Sequence, residues 1–199
     1  MLKLIRKIAY SKPIKKVMKE FCGIFYDKQY LSGKFFEEKR MGFIWCFSAL
    51  TRLPYMRRQN IHFPIGKNTS VLGGDKIHFH PSSINVFQQP GCYFQALAQI
   101  SIGRDVWIAQ NVGIITANHD IYNPEKHSES KPVFIGDFCW IGMNSVILPN
   151  VSLGDHTIVG AGSVVTKSFP EGNVVIAGNP AKVIKHLEFI SRIKEGPNT

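Results

Sequence analysis

Seven histidines, His62, His78, His80, His119, His127, His156 and His186, are the residues of this chain best suited to move a proton near neutral pH. His119 has the richest surroundings. It lies between Asn118 and Asp120 at the start of a polar stretch, residues 118–132, that carries Pro124 and ends on Pro132. A histidine side chain in water titrates near about 6.5, so it can accept a proton from an alcohol as that alcohol attacks a carbonyl. The oxyanion formed in such a step needs a donor, and a backbone N–H serves. No serine or cysteine is spaced to complete a covalent triad with His119, so direct transfer is the simplest scheme. Asp120 is expected to orient the imidazole or the acceptor. A metal is not expected: His78 and His80 alternate by two and share a face, but no third ligand follows at metal spacing. Cys22, Cys46, Cys92 and Cys139 show no CxxC spacing and read as reduced thiols of a cytoplasmic protein, with Cys139 at an inward position that calls for a small residue.

What positions these residues is a repeat. Ile135, Ile141, Ile147, Leu153, Val159 and Val165 recur at every sixth position, and Gly136, Gly142, Gly154 and Gly160 follow four of them. The same phase holds at Ile84, Ala96, Ile102, Ile108 and Ile114, with Pro90 as a substitute, and a shifted run holds Ile65, Val71 and Ile77. A period of six is neither that of an α-helix nor that of a hairpin strand; short parallel β-helix repeats have it. Three six-residue sides close one coil, so residues 65–170 predict about five coils. The residue four places after each aliphatic is small or branched (Val106, Val112, Ser145, Val151, Thr157, Ser163), and Gly103, Asn111, Gly136, Asp137, Asn144, Gly154 and Asp155 suit tight corners. From Ile114 to Ile135 the step is 21 residues where six are expected, so a surface loop is extruded over 118–133 with His119 at its base. Long loops on rigid scaffolds tend to carry function.

The net charge of +10 is uneven. Residues 1–60 hold 14 Lys or Arg against 4 acids, whereas residues 61–199 hold 10 of each. Lys3, Arg6, Lys7, Lys12, Lys15, Lys16 and Lys19 alternate with Leu2, Leu4, Ile5, Ile8, Ile14, Val17 and Met18. This predicts a basic amphipathic helix that either lies on an anionic membrane or packs on its neighbour. The apolar stretch Met41 to Leu53 is too short to span a bilayer, which takes about 20 residues. No small-residue cleavage site follows an apolar core, and no nucleic-acid recognition motif accompanies the basic segment, so neither a signal peptide nor a nucleic-acid partner is expected.

The repeats, the TANHD segment (Thr116 to Asp120), the stretch from Cys139 to Pro170 and the closing IAGNPAKVIK (Ile176 to Lys185) resemble the hexapeptide-repeat acyltransferases. The similarity is closest to the acetyl-CoA-dependent O-acetyltransferases of sugars and polysaccharides, and it spans about residues 61–187. The resemblance implies an all-β fold, a left-handed parallel β-helix with an N-terminal helical segment, in a homotrimer whose three sites lie in clefts between chains. It implies that His119 is the general base, that Trp140 flanks the pantetheine arm, and that the backbone around Gly142 faces the thioester. It further implies that Ala161 bonds the pantetheine amide, that Thr166 and Lys167 meet the nucleotide end, and that Lys182 and Lys185 lie near the CoA phosphates.

The resulting organisation is a basic helical segment over 1–60, a β-helix over 61–173, and an extension over 174–199 ending in a short helix built on Val183, Ile184, Leu187, Ile190 and Ile193. The expected function is transfer of acetyl from acetyl-CoA to a saccharide hydroxyl, on a surface polysaccharide or its lipid-linked precursor, with residues 1–20 attaching the protein to the inner face of the cell membrane. The alternatives are a soluble acceptor (a nucleotide-linked amino sugar, serine or an antibiotic) and a scaffold that has lost the chemistry.

Overall fold

A computed structural model of the chain describes residues 11–38 and 41–188. From Ser70 onward the chain winds through three stacks of short strands. The first face stacks β1 (Ser70–Leu72), β3 (Tyr93–Gln95), β6 (Gly113–Ile115), β9 (Val146–Ile147) and β12 (Val164–Val165). The second stacks β2 (Ile77–Phe79), β4 (Ile100–Ile102), β7 (Val133–Ile135) and β10 (Ser152–Leu153). The third stacks β5 (Trp107–Ile108), β8 (Trp140–Ile141), β11 (Ile158–Val159) and β13 (Val174–Gly178), and β14 (Ala181–His186) closes it. All pairs are parallel except β13 with β14, so the architecture is a three-faced parallel β-helix.

The six-residue period is the register of this stacking. Each inward residue meets its counterpart one coil away: Ile108 on Ile141 on Val159 on Ile176, and Val71 on Phe94, which takes the place expected for Ala96, on Ile114 on Ile147 on Val165. All of these are buried, and burying an aliphatic side chain contributes roughly 1.5–3 kcal/mol. The intermediate residues Val106, Val112, Ser145, Val151, Thr157 and Ser163 are buried as well. The hydroxyls among them avoid the cost of desolvation by donating to corner carbonyls: Ser145 and Ser163 to Gly160, at 2.9 and 2.6 Å, and Thr157 to Gly154 at 2.7 Å.

Details within the coils differ from the sequence expectation. Left-handed backbone is found at Asn111 and Asn144 as expected, but also at Asp105, Phe138 and His156, two residues after a corner glycine. Gly136 is needed instead for close approach, because a Cβ there would lie 2.7 Å from the Asp155 nitrogen and 2.5 Å from its carboxylate. Ile84 is buried in phase, but in a 3-10 helix over Pro81–Gln88 rather than a strand, with Asn85 donating to the Val106 carbonyl at 3.2 Å.

The N-terminal segment forms a cap of short helices, α1 (Lys12–Cys22), α2 (Lys34–Glu37), α3 (Gly42–Ala49) and α4 (Leu53–Arg58). A chain of rings joins it to the β-helix: Tyr30 on Phe79 at 4.2 Å, Phe79 on Phe63 and Phe87 at 4.9 and 4.8 Å, and Phe87 on Phe94 at 4.8 Å between centroids. Lys15 and Lys19 of α1 turn to Glu37 of α2, at 3.4 and 2.5 Å, so part of the basic face packs on its neighbour. At the opening strand, the Tyr55 hydroxyl donates to the Val71 carbonyl (2.7 Å) and accepts from the Val71 N–H (2.9 Å). No described helix is long and apolar enough to cross a membrane, and residues 1–10 of the expected amphipathic segment lie outside the described residues.

The expected C-terminal helix is corrected. Val183 and Ile184 belong to β14, which turns back after Pro180 and pairs antiparallel with β13, Ile176 opposite Val183 and Val175 opposite Lys185. The unpaired edge of β13 offers a ladder of hydrogen bonds that β-branched residues suit better than a helix. Ile190 and Ile193 lie outside the described residues.

Candidate active site

The extruded loop leaves the edge between the first and second faces, after β6 and before β7. Its base is fixed to the coil above. Thr116 donates through its N–H and its hydroxyl to the Gln95 carbonyl at 3.1 and 2.8 Å, and the Ala117 N–H donates to the Gln95 side-chain oxygen at 3.1 Å. From there the loop runs out and back as a short ladder: Ser128 N–H donates to the Asn118 carbonyl (2.9 Å), Asp120 N–H to Lys126 (2.9 Å), and Lys131 N–H to Thr116 (2.7 Å).

His119 sits on this ladder, exposed, with Nδ1 2.6 Å from the Pro124 carbonyl oxygen. A carbonyl can only accept, so this bond requires the proton on Nδ1. In the neutral ring Nε2 is then the lone-pair nitrogen, which is the form a general base needs. Asp120 acts one step removed from the imidazole. Its Oδ1 accepts from the N–H groups of Tyr122 (2.8 Å) and Asn123 (2.9 Å), capping the turn that delivers Pro124 to His119. Beside the loop, Asn118, Ser128, Glu129, Lys131, Pro149 and Asn150 line a polar hollow of about 350 Å³.

The remaining expected site residues fall into two groups. Thr166 and Lys167 follow β12, exposed, on the same edge as the loop. Trp140 lies on the third face, half-exposed at 52%, and Gly142 and Ala161 lie at the corner between the third and first faces. Lys182 and Lys185 extend the third face on β14, both exposed. In a three-sided column the third face is opposite the edge that bears His119, so a single chain does not bring His119 and Trp140 together. Gly142 is a packing glycine, since a Cβ would lie 2.6 Å from the Ala161 nitrogen, and its N–H is used by the Val159 carbonyl at 2.8 Å.

Three features escape the sequence expectation. Trp107 is the register partner of Trp140 and is 48% exposed, so the third face carries an indole pair. The Trp-Ile dipeptide at 107 and 140 was its signal. Lys34 of the cap reaches over Trp107, 5.6 Å from the ring, while paired with Asp105. Burial raises the Asp105 carboxyl, but the Lys34 ammonium, the Ser82 hydroxyl and His80 together outweigh it and hold the group below the ordinary carboxylate range. The Pro124 carbonyl and the His127 ring, both on His119, had no signal in residue type or spacing. Among the described residues, no group of three or more His, Cys, Asp or Glu could hold a metal.

Comparison with known proteins bears on this geometry. The family described as bacterial transferase hexapeptide (six repeats) matches residues 132–167. A protein of Escherichia coli K12, provisionally named a lipopolysaccharide biosynthesis O-acetyl transferase, is 34% identical over 152 residues, covering 69% of this chain and 74% of the relative. The galactoside O-acetyltransferase of E. coli K12 is 43% identical over 91 residues, 44% of each chain. The chain spans about half the length of several of the curated relatives it matches. Among solved structures, a maltose O-acetyltransferase from Clostridium difficile 630 superposes with a TM-score of 0.53 at 29% identity, covering 90% of this chain and 91% of that one.

Proposed function

Because this chain belongs to the hexapeptide-repeat transferase family, we propose that it moves an acetyl group from acetyl-CoA to a hydroxyl of a saccharide. The observation that carries the reading is the Nδ1 contact of His119 with the Pro124 carbonyl, which leaves Nε2 as the proton acceptor on an exposed edge. In the step, Nε2 takes the proton of the acceptor hydroxyl while its oxygen attacks the thioester carbonyl. The tetrahedral oxyanion then collapses, the C–S bond breaks, and the imidazolium returns its proton to the leaving CoA thiolate.

The reading includes a homotrimer of left-handed columns of about five coils. Such an assembly sets the loop edge of one chain against the third face of the next, so that His119, Asp120, Thr166 and Lys167 meet Trp140, Gly142, Ala161, Lys182 and Lys185 across the cleft. In this scheme the helical cap (1–60), the column (61–173) and the extension (174–199) divide the labour, with β14 carrying lysines to the CoA phosphates. The polar hollow beside the loop fits a hydroxyl-rich acceptor. Two relatives whose names specify lipopolysaccharide and galactoside O-acetyl transfer support a saccharide, and the basic cap favours an acceptor held near an anionic membrane at the cytoplasmic side.

The test is thiol release from acetyl-CoA by the purified protein, with maltose, galactosides and lipid-linked oligosaccharides offered as acceptors. Acceptor-dependent release is expected, falling by about 10²–10⁴-fold in His119→Ala with an unchanged unfolding midpoint. An unchanged rate would remove His119 from the mechanism. No release together with no CoA binding would overturn acetyl transfer.

A further inference from the structure

His119 does not face the loop alone. The ladder bonds Ser128 N–H to Asn118 carbonyl and Asp120 N–H to Lys126 carbonyl flank it on both sides, so His119 and His127 form an antiparallel pair of the non-hydrogen-bonded kind. Side chains approach most closely at such pairs. Here the two rings lie with centroids 4.5 Å apart and planes inclined by 31°.

We propose that His127 is a positioning residue for His119: its ring packs on the imidazole and confines it to the plane in which Nδ1 meets the Pro124 carbonyl and Nε2 stays free. The need for it follows from magnitudes. The terminal torsion of a histidine is broad and nearly two-fold, and half a turn exchanges Nδ1 for a carbon. A single neutral hydrogen bond exposed to water favours one orientation by about tenfold at most. A half-turn keeps the ring in its plane, so the bond to Pro124 chooses between the two orientations. A packed aromatic neighbour confines the otherwise broad torsion to that plane, disfavouring rotation out of it by about tenfold. His119 and His127 are both exposed, so neither core packing nor burial supplies this constraint. The catalytic meaning rests on His119 being the base; the orientational claim does not.

The experiment is nitrogen NMR of histidine-labelled protein above the imidazole titration range, with His119 assigned by its disappearance in His119→Ala. Wild-type His119 is expected to give two well-separated ring-nitrogen resonances, the mark of one fixed Nδ1–H tautomer. In His127→Ala they should converge towards an averaged pair, and in His127→Phe, which keeps a packing ring, the separation should return. With the sugar that releases thiol fastest, His127→Ala should lower kcat about tenfold with KM for acetyl-CoA moving less than twofold, and His127→Phe should restore kcat to within twofold. Resonances unmoved in His127→Ala would overturn the proposal, as would a Phe variant behaving like Ala. Resonances that respond as expected in a protein with no transferase activity would leave the positioning role standing and remove the base.

Discussion

In the stacked coils a side chain is held by its equivalent one coil away: Ile141 lies between Ile108 and Val159, and any of the three could be another aliphatic without changing the plan. In the segment between β6 and β7 nothing repeats. His119 is held by Pro124, Asp120 by the N–H groups of Tyr122 and Asn123, and His127 by its place across a two-strand ladder. The coils obtain rigidity from redundancy, whereas the loop obtains geometry from a few contacts that have no substitutes. Damage to a coil should therefore appear as lost stability, and damage to the loop as lost rate.

Substitutions can sharpen or break that contrast. The largest effect is expected from Ile141→Ala, a buried truncation costing about 2–5 kcal/mol. Thermal unfolding should show the loss, while kcat well below the transition stays within about twofold; a matching fall in kcat would mean that the coils tune the site. Asp120→Ala is the converse. Losing two accepted N–H bonds should cost roughly 1–3 kcal/mol, expressed as a drop in kcat of about tenfold or more with a small change in unfolding midpoint. Asp120→Asn, whose side-chain oxygen still accepts, should recover most of the rate; equal loss in both variants would show that the negative charge matters instead. The smallest effect concerns pH. The Arg104 N–H donates to the Asp137 carboxylate (2.7 Å), and together with the guanidinium it holds that carboxyl below its ordinary range against the opposing effect of burial. A depressed folded-state value favours the folded protein above the unfolded carboxylate value, about 4, and that contribution disappears as pH falls through the lower folded value. The unfolding midpoint should decline as pH falls below about 4, and less steeply in Asp137→Asn.

The same contrast explains what could be read in the sequence. The coil positions were legible because stacking repeats one environment many times, so Ile135 through Val165 announce it by period alone. The loop was legible as an interruption, and His119 as the titratable group at its base. Its orientation was not, because the Pro124 contact is made by a carbonyl, which every residue has, and His127 is placed by a turn whose length carries no period. The C-terminal strand departs from its sequence pattern for a different reason. Val183, Ile184 and Leu187 fit a helical stripe, but the open edge of β13, a tertiary feature, decides in favour of a strand.

A column assembled by stacking like on like has, in principle, no reason to stop, since each terminal strand displays the groups that would recruit another. At Val71 the phenol of Tyr55 occupies both the donor and the acceptor that the next strand would use. One hydroxyl thereby acts as a chain terminator for that face. It keeps at finite length a lattice whose side-by-side spacing is that of a fibril.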